Sequence, residues 1–269
     1  MMSYRDGALF GSVVLLGLGL GFNAEACSTD GWLGGASGSY VADSPPTIAR
    51  YSEFCALSVT GQAHVQSNFA SNETRYRARF YVLDSLTGAG TVDIFEAYDD
   101  ENAVGAASAV FKISFNGSQF TFDATDAGGG STTIASVNGW NIIEFDWTSG
   151  GNFDLWVNAD AVNDAATGSV AAGTGDVDAV RLGAPNGFST QTGRVNFDAF
   201  ESHRTTPVGP LLVGDANGNQ SVNIFDMIGI QNEILNPANL AAGQPDCNAN
   251  GSVNVFDMIC VQNIILGGN

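Results

Sequence analysis

Positive charge is what this sequence most lacks. The 269 residues include one lysine, Lys112, and nine Lys and Arg together against 28 Asp and Glu, a formal net charge of −19. Binding a phosphate backbone or an anionic lipid surface needs clustered Lys and Arg that release counterions, so nucleic acid and anionic membranes are excluded as partners. Histidine is scarce as well, with two residues. No Gly-x-Ser-x-Gly elbow surrounds any serine, which removes one common route to nucleophilic catalysis. Beyond Phe22 there is no apolar run long enough to cross a bilayer. Apolar residues at 44% and aromatics at 10% are nevertheless too many for a disordered acidic tail, so the charge belongs to a folded chain. The length allows about two domains at roughly 100–200 residues each.

Arg5, the apolar run Ala8 to Phe22 and the small-x-small triplet Ala24-Glu25-Ala26 have the order of a secretory signal peptide, residues 1–26. A membrane anchor is disfavoured by the shortness of the run, and a lipid anchor on Cys27 by Glu25, which fits a lipid-attachment box poorly. Export predicts a secreted or cell-surface protein with no membrane span after cleavage, and it permits disulfides. Four cysteines allow three pairings. The most local joins Cys27 to Cys55 and Cys247 to Cys260, with free buried thiols as the other possibility.

From Tyr51 to Glu201 short alternating runs are broken by Gly, Asn, Asp and Ser, and no stretch sustains a 3.6-residue period. That is the pattern of antiparallel strands with one buried face. Tyr76, Ala78, Phe80 and Val82 share a side, as do Ile143, Phe145 and Trp147, and Phe153, Leu155 and Val157. Phe111 to Phe115, then Asn116-Gly117, then Phe120 and Phe122 predict a hairpin with positive φ at its turn. Many strands without helical crossovers predict a two-sheet β-sandwich over residues 27–204. The runs Tyr76-Arg77-Ala78-Arg79-Phe80, Phe153 to Asn158 and Gly193 to Glu201 resemble the concanavalin A-like, laminin-G-like jelly-roll family over roughly residues 32–204. The resemblance implies a fold used to bind glycans or proteins and sometimes to hydrolyse glycans.

Glycoside hydrolysis needs two carboxylates across the bond. Glu144 and Asp146 point to one strand face, but hydrolases of the family just named resemble Glu-x-Asp-x-x-Glu there, and the sixth position here is Ser149. Two solvated carboxylates on an outer face are the simpler expectation. His64 and His203 read as surface residues. Arg75, Arg77 and Arg79 share a face that could grip anionic sugars, but in so acidic a chain they are expected to pair with carboxylates such as Asp198 or Glu201. Trp156, opposite the apolar side of its strand, is either a stacking platform for a sugar ring or part of a second packed layer. Asp99-Asp100-Glu101-Asn102 and Asp176/Asp178 have no diagnostic metal spacing and read as solvated turns.

After a Pro/Gly-rich linker, residues 205–212, comes a duplication. Asp215 to Leu235 aligns without gaps on Asp246 to Leu266, an offset of 246 − 215 = 31, with 14 identities in 21 positions. Each copy carries oxygen-bearing side chains at the first, third, fifth and twelfth positions: Asp215, Asn217, Asn219 and Asp226, then Asp246, Asn248, Asn250 and Asp257. This is EF-hand-type Ca²⁺ spacing, with the carbonyls of Ser221 and Ser252 at the seventh position and Asn223 and Asn254 at the ninth, acting through water. An apolar helix is expected after each loop. The residues before the first loop are too short and too rich in proline for the preceding helix of a true EF-hand.

Loop-then-helix, duplicated over residues 213–266, closely resembles the type I dockerin family. The resemblance implies two Ca²⁺ ions, Ca²⁺-dependent folding of residues 213–269, and docking onto a cohesin-bearing scaffold or surface protein, as in polysaccharide-degrading assemblies. The positions that would contact the cohesin are Ile224, Phe225, Gln231 and Asn232 in the first copy and Val255, Phe256, Gln262 and Asn263 in the second. Three departures stand out. Fifth-position Asn leaves each loop two formal charges, Gln220 replaces the glycine present at Gly251, and Ile-Phe and Val-Phe stand where dockerins often carry hydroxyl residues. Phe225 and Phe256 are either partner contacts or seals of the small core between the helices. The functional expectation is a secreted, non-catalytic binding module, for a carbohydrate or cell-surface ligand, tethered by the dockerin. A divergent glycoside hydrolase using Glu144 or Asp146, or a structural surface protein, are the alternatives.

Overall fold

The computed structural model describes residues 32, 34–43, 56–68, 71–100, 109–159, 164–210, 212–219, 221–236, 241, 243–248 and 252–267. The expected signal peptide, Cys27, Cys55, Asn250, Gln220 and Gly251 lie outside them.

Among the described residues twelve strands come first along the chain: β1 (Gly35–Asp43), β2 (Ala56–Ser67), β3 (Arg75–Asp84), β4 (Val92–Tyr98), β5 (Phe111–Phe115), β6 (Gln119–Asp123), β7 (Ser131–Ala135), β8 (Asn141–Thr148), β9 (Asn152–Val157), β10 (Gly168–Ala171), β11 (Ala179–Ala184) and β12 (Val195–His203). Every pairing is antiparallel, along the path β10-β9-β8-β3-β12-β2-β11-β4-β5-β6-β7, with β1 on β2. The two layers are therefore one continuous ladder folded over rather than two separate sheets. β2 makes the turn between them: Leu57–Val59 pair with β12, and Ala63–Ser67 pair with β11. Strands far apart on the path meet through their rings, Phe95 of β4 on Phe145 of β8 at 5.1 Å and Phe111 of β5 on Phe153 of β9 at 4.8 Å. The alternating apolar positions read from the sequence are the ones that fill this core.

The Phe111–Asp123 hairpin forms, with a different turn. Gly117 alone takes positive φ, at 90°, and the Asn116 side-chain oxygen accepts from Ser118 N at 3.0 Å and Gln119 N at 2.9 Å. An Asx turn, in which the side chain stands in for a backbone acceptor, replaces the expected pair of left-handed residues.

Two helices follow, α1 (Ile224–Leu235) and α2 (Val255–Ile265). Asn223 and Asn254 cap them, each accepting from the N–H two residues on at 2.9 Å. Asp226 and Asp257 reach back to the cap N–H at 2.7 and 2.8 Å, completing a capping box in each copy. The small core between the helices is Ala216, Ile230, Cys247 and Val261, with Val222, Met227, Val253 and Met258 packed against it. Cys247 and Cys260 are disulfide-bonded, as in the most local pairing. Phe225 and Phe256 do not seal this core: they are 66% and 65% exposed. The capping residue sets the helix phase, and that phase turns the second helical position outward while the third, Asp226 or Asp257, turns in. Among the described residues no helix is long and apolar enough to cross a membrane.

Candidate functional site

Asp215, Asp226, Asp246 and Asp257 are each no more than 1% exposed. They gather backbone donors: Asp215 accepts from Asn219 N at 3.0 Å, Asp226 from Asn217 N at 3.0 Å, and Asp257 from Asn248 N at 3.1 Å. Asn217 Oδ1 also accepts from Asn219 N, at 3.1 Å. The seventh-position carbonyls of Ser221 and Ser252 accept from the Asn223 and Asn254 side chains at 3.1 and 2.8 Å. The first, third, fifth and twelfth positions of the first loop thus converge, and in the second loop Asn248 meets Asp257 in the same way.

No Lys, Arg or His occurs from Thr205 to Asn269, against five acidic residues. Carboxylates buried without a protein cation carry a large desolvation cost unless an ion joins them. Hard oxygen donors, carboxylate and amide together, suit Ca²⁺, so the residues present fit the metal. Glu233 of α1 is buried as well. Burial pushes its carboxyl up, the Ala241 N–H at 2.9 Å pulls it down, and nearby Asp257 pushes it up again.

All eight candidate partner-contact residues are exposed: Ile224, Phe225, Gln231 and Asn232 on α1, and Val255, Phe256, Gln262 and Asn263 on α2. Ile228, Leu235, Ile259 and Leu266 join them, so each helix presents a large apolar face on which no charged residue is exposed.

The outer faces of the sandwich carry two further polar arrays. On the layer β9-β8-β3-β12 the register aligns Trp156, Glu144, Arg79 and Glu201 in one row and Asp154, Asp146, Arg77 and His203 in the next. Glu144 and Asp146 are not the solvated pair expected from alternation; they are 8% and 7% exposed. Asp146 pairs with Arg75 at 2.7 Å and Arg77 at 2.5 Å, and Arg79 with Glu201 at 2.8 Å. Burial pushes the Asp146 carboxyl up, but the hydrogen bonds and charges of Arg75 and Arg77 outweigh it and hold it below the usual range. Both Glu144 oxygens accept from the linker, from Val208 N and Gly209 N at 3.0 Å each. Gly209 sits at φ 76°, a left-handed conformation that lets two successive N–H groups converge on one carboxylate. Arg77 and Arg79 donate to the carbonyls of Thr205 and Gly209, and His203 meets Thr206 and Pro207. Residues 205–210 therefore lie as a strap across this face. Trp156 is half-buried beside Glu144 and donates to the Asp164 carbonyl at 2.9 Å.

The second array, on the layer β2-β11-β4-β5, is signalled by no motif in the sequence. Gln66, Arg181, Glu96, Lys112 and Asp123 are cross-strand neighbours in one row. His64, read as a surface residue, is 9% exposed. The strands themselves follow from alternation, but cross-strand register is a long-range property that nothing local announces. Asp178, expected in a solvated turn, accepts from Asn72 N. Among the described residues no three His, Cys, Asp or Glu side chains cluster as a metal site, and the dockerin-like loops supply only two carboxylates each.

Residues 213–266 match the family model of the dockerin type I domain. The dockerin segment coincides with the two loop–helix units and covers the converging carboxylates and both apolar faces. A dockerin type I domain implies Ca²⁺ binding and a cohesin partner. No curated protein sequence matches the chain. Among solved structures, "Cellulose induced protein, Cip1" aligns at 13% identity and a TM-score of 0.46, covering 64% of this chain and 87% of that one. The HCR/D W1238A mutant aligns at 9% and 0.45, and the receptor binding domain of botulinum neurotoxin C/D mosaic serotype at 9% and 0.44. For both, 64% of this chain aligns to 42% of the other, so it spans about two fifths of their length.

Proposed function

We propose that this is an exported, non-catalytic binding module whose β-sandwich recognises a carbohydrate or cell-surface ligand and whose dockerin segment fixes it to a cohesin-bearing scaffold or surface protein. Two Ca²⁺ ions would be held by Asp215, Asn217, Asn219, the Ser221 carbonyl and Asp226, and by Asp246, Asn248, Asn250, the Ser252 carbonyl and Asp257. The observation that carries this reading is the burial of four carboxylates in a segment with no basic residue. The cohesin contact would be made by the uncharged faces around Ile224, Phe225, Gln231 and Asn232 and around Val255, Phe256, Gln262 and Asn263. Affinity should then come mainly from desolvating apolar surface and depend little on salt. On the sandwich, Trp156 is the candidate platform for stacking a sugar. The hydrolase alternative finds no support at Glu144 and Asp146, because the strap and the two arginines already engage those carboxylates.

The test has two parts. Adding Ca²⁺ to residues 207–269 should raise their helicity and chelator should reverse it; an unchanged circular-dichroism spectrum would sink the reading of the loops. The full chain should bind members of a glycan array without releasing reducing sugar. Turnover abolished by Glu144→Gln would replace the binding module with an enzyme.

A further inference from the structure

The outer face of β2, β11 and β4 holds a polar cluster that neither the dockerin segment nor the strap uses. Alternation along β4 directs Glu96 and Tyr98 away from the core, where side chains normally meet water, yet each is only 3% exposed. Asn186, exposed in the turn after β11, donates from one amide nitrogen to Glu96 at 2.7 Å and to Asp93 at 2.8 Å. Tyr98 donates to the other Glu96 oxygen, and Ser114 to the other Asp93 oxygen at 2.5 Å. Arg181 lies with its guanidinium 5.4 Å from the Tyr98 ring centre and donates to Gln66 at 3.0 Å.

Beside Arg181, His64 supplies an independent observation. Its Nδ1 is buried and has no hydrogen-bond partner among the described residues. Burial, and then the charge of Arg181, push its pKa down to about 4, so at neutral pH the ring is uncharged and Nδ1 either donates or accepts one hydrogen bond, according to the tautomer. A buried polar atom left unpaired is costly, and such atoms in native folds call for a partner from outside.

Charge narrows the partner. Asp93 and Glu96 would repel phosphate, and the row balances Arg181 and Lys112 with Glu96 and Asp123, so no net positive field remains for an anion. Carboxylates that accept, beside amides and a guanidinium that donate, match hydroxyl groups on neighbouring carbons. We propose that this face is a saccharide site in which Asp93 and Asn186 hold vicinal hydroxyls of a pyranose, Glu96 fixes the Asn186 amide from below, and Arg181 and His64 complete the sugar's hydrogen bonds. The inference rests on the reading of the sandwich as a carbohydrate-binding module, and moves the contact from Trp156 to the opposite layer.

The test is calorimetric titration of the full Ca²⁺-loaded chain with a soluble neutral β-glucan and, separately, a polyuronate. Asn186→Ala removes an exposed side chain and leaves the core intact; Glu96→Gln keeps the shape of the floor. Saturable binding that both variants weaken at least about tenfold, with unchanged melting of the Asn186→Ala chain, supports the site. Response to the polyuronate alone would overturn it, because the charge balance of the face leaves no net attraction for an anion. Binding lost in Trp156→Ala but kept in Asn186→Ala and Glu96→Gln would overturn the inference and leave the binding-module reading standing. No binding of either polymer by the wild-type chain, with none across a broad glycan array, would overturn both.

Discussion

The sandwich and the dockerin segment bury carboxylates in opposite ways. In the sandwich the acids of the strap face, Asp146 and Glu144 buried and Glu201 half-buried, have partners supplied by the chain itself: Arg75 and Arg77 for Asp146, Arg79 and His203 for Glu201, two strap N–H groups for Glu144. In the dockerin segment Asp215, Asp226, Asp246 and Asp257 are as deeply buried with no basic side chain in the segment, and backbone N–H groups alone do not neutralise them. A domain that carries its own counterions is expected to fold without an ion, and one of about 55 residues that lacks basic side chains is expected to depend on one. The difference teaches where the acidity matters: most of the −19 lies on the sandwich, and four carboxylates are buried in a segment that has no basic residue.

The largest expected effect breaks the comparison outright. Chelating Ca²⁺ should melt α1 and α2, a loss of about 4 kcal/mol if the ion had been present at a thousand times its Kd. Near-ultraviolet signals from Trp147 and the core tyrosines should stay unchanged, because that core is packed from apolar side chains.

A contrast inside the dockerin segment is next in size. The equivalents of Cys247 and Cys260 in the first copy are Ala216 and Gly229, and a Cβ built on Gly229 would lie 3.2 Å from that of Ala216. The second loop is therefore closed covalently and the first by hydrogen bonds alone. Replacing Cys247 and Cys260 with Ala should cost about 3 kcal/mol, read as a lower melting temperature of the helices at a fixed Ca²⁺ concentration. If melting is unaffected, the two loops are equivalent and the disulfide does not set the second.

Asp146→Asn should cost the sandwich about 2–3 kcal/mol by leaving Arg77 underpaired. The folded pKa of Asp146 lies below its unfolded value, so the pair stabilises fully above the ordinary carboxylate range near pH 4 and is lost as pH falls through the folded value. Urea titrations at pH 7 and pH 3 should differ less in the variant than in the wild type.

The smallest effect is at the strap. The hydrogen bond that His203 donates to Glu201 raises the His203 pKa, so its contribution is full below about pH 6.5 and fades as pH rises through the raised folded value. His203→Gln should remove that dependence, worth less than about 1 kcal/mol, and proteolysis near residues 205–210 should become insensitive to pH. Faster cleavage of the wild type at low pH would contradict the sign.

Much of this was legible in the sequence because it is local. Alternation along Tyr76–Val82 and Phe153–Val157 depends only on the two-residue period of a strand, and the loops declare themselves because Asp215 to Leu235 recurs at Asp246 to Leu266. The outward turn of Phe225 was not legible, since a hydrophobic residue beside a small core reads equally as its seal. The roles of Glu144 and His64 were hidden for another reason, the distance along the chain to their partners. Glu144 accepts from Val208, 64 residues on, and His64 lies beside Arg181, 181 − 64 = 117 residues on.

By itself the sequence determined an acidic chain, antiparallel strands and a duplicated calcium-type loop, since composition, period and repeat are properties of neighbours along the chain. Only the tertiary structure decided that the ladder is one folded sheet, that the linker lies on Glu144, and that Asp93, Glu96, Arg181 and His64 share a face. Those facts depend on register and packing between distant segments, where side chains meet because the backbone has folded and not because they are close in sequence.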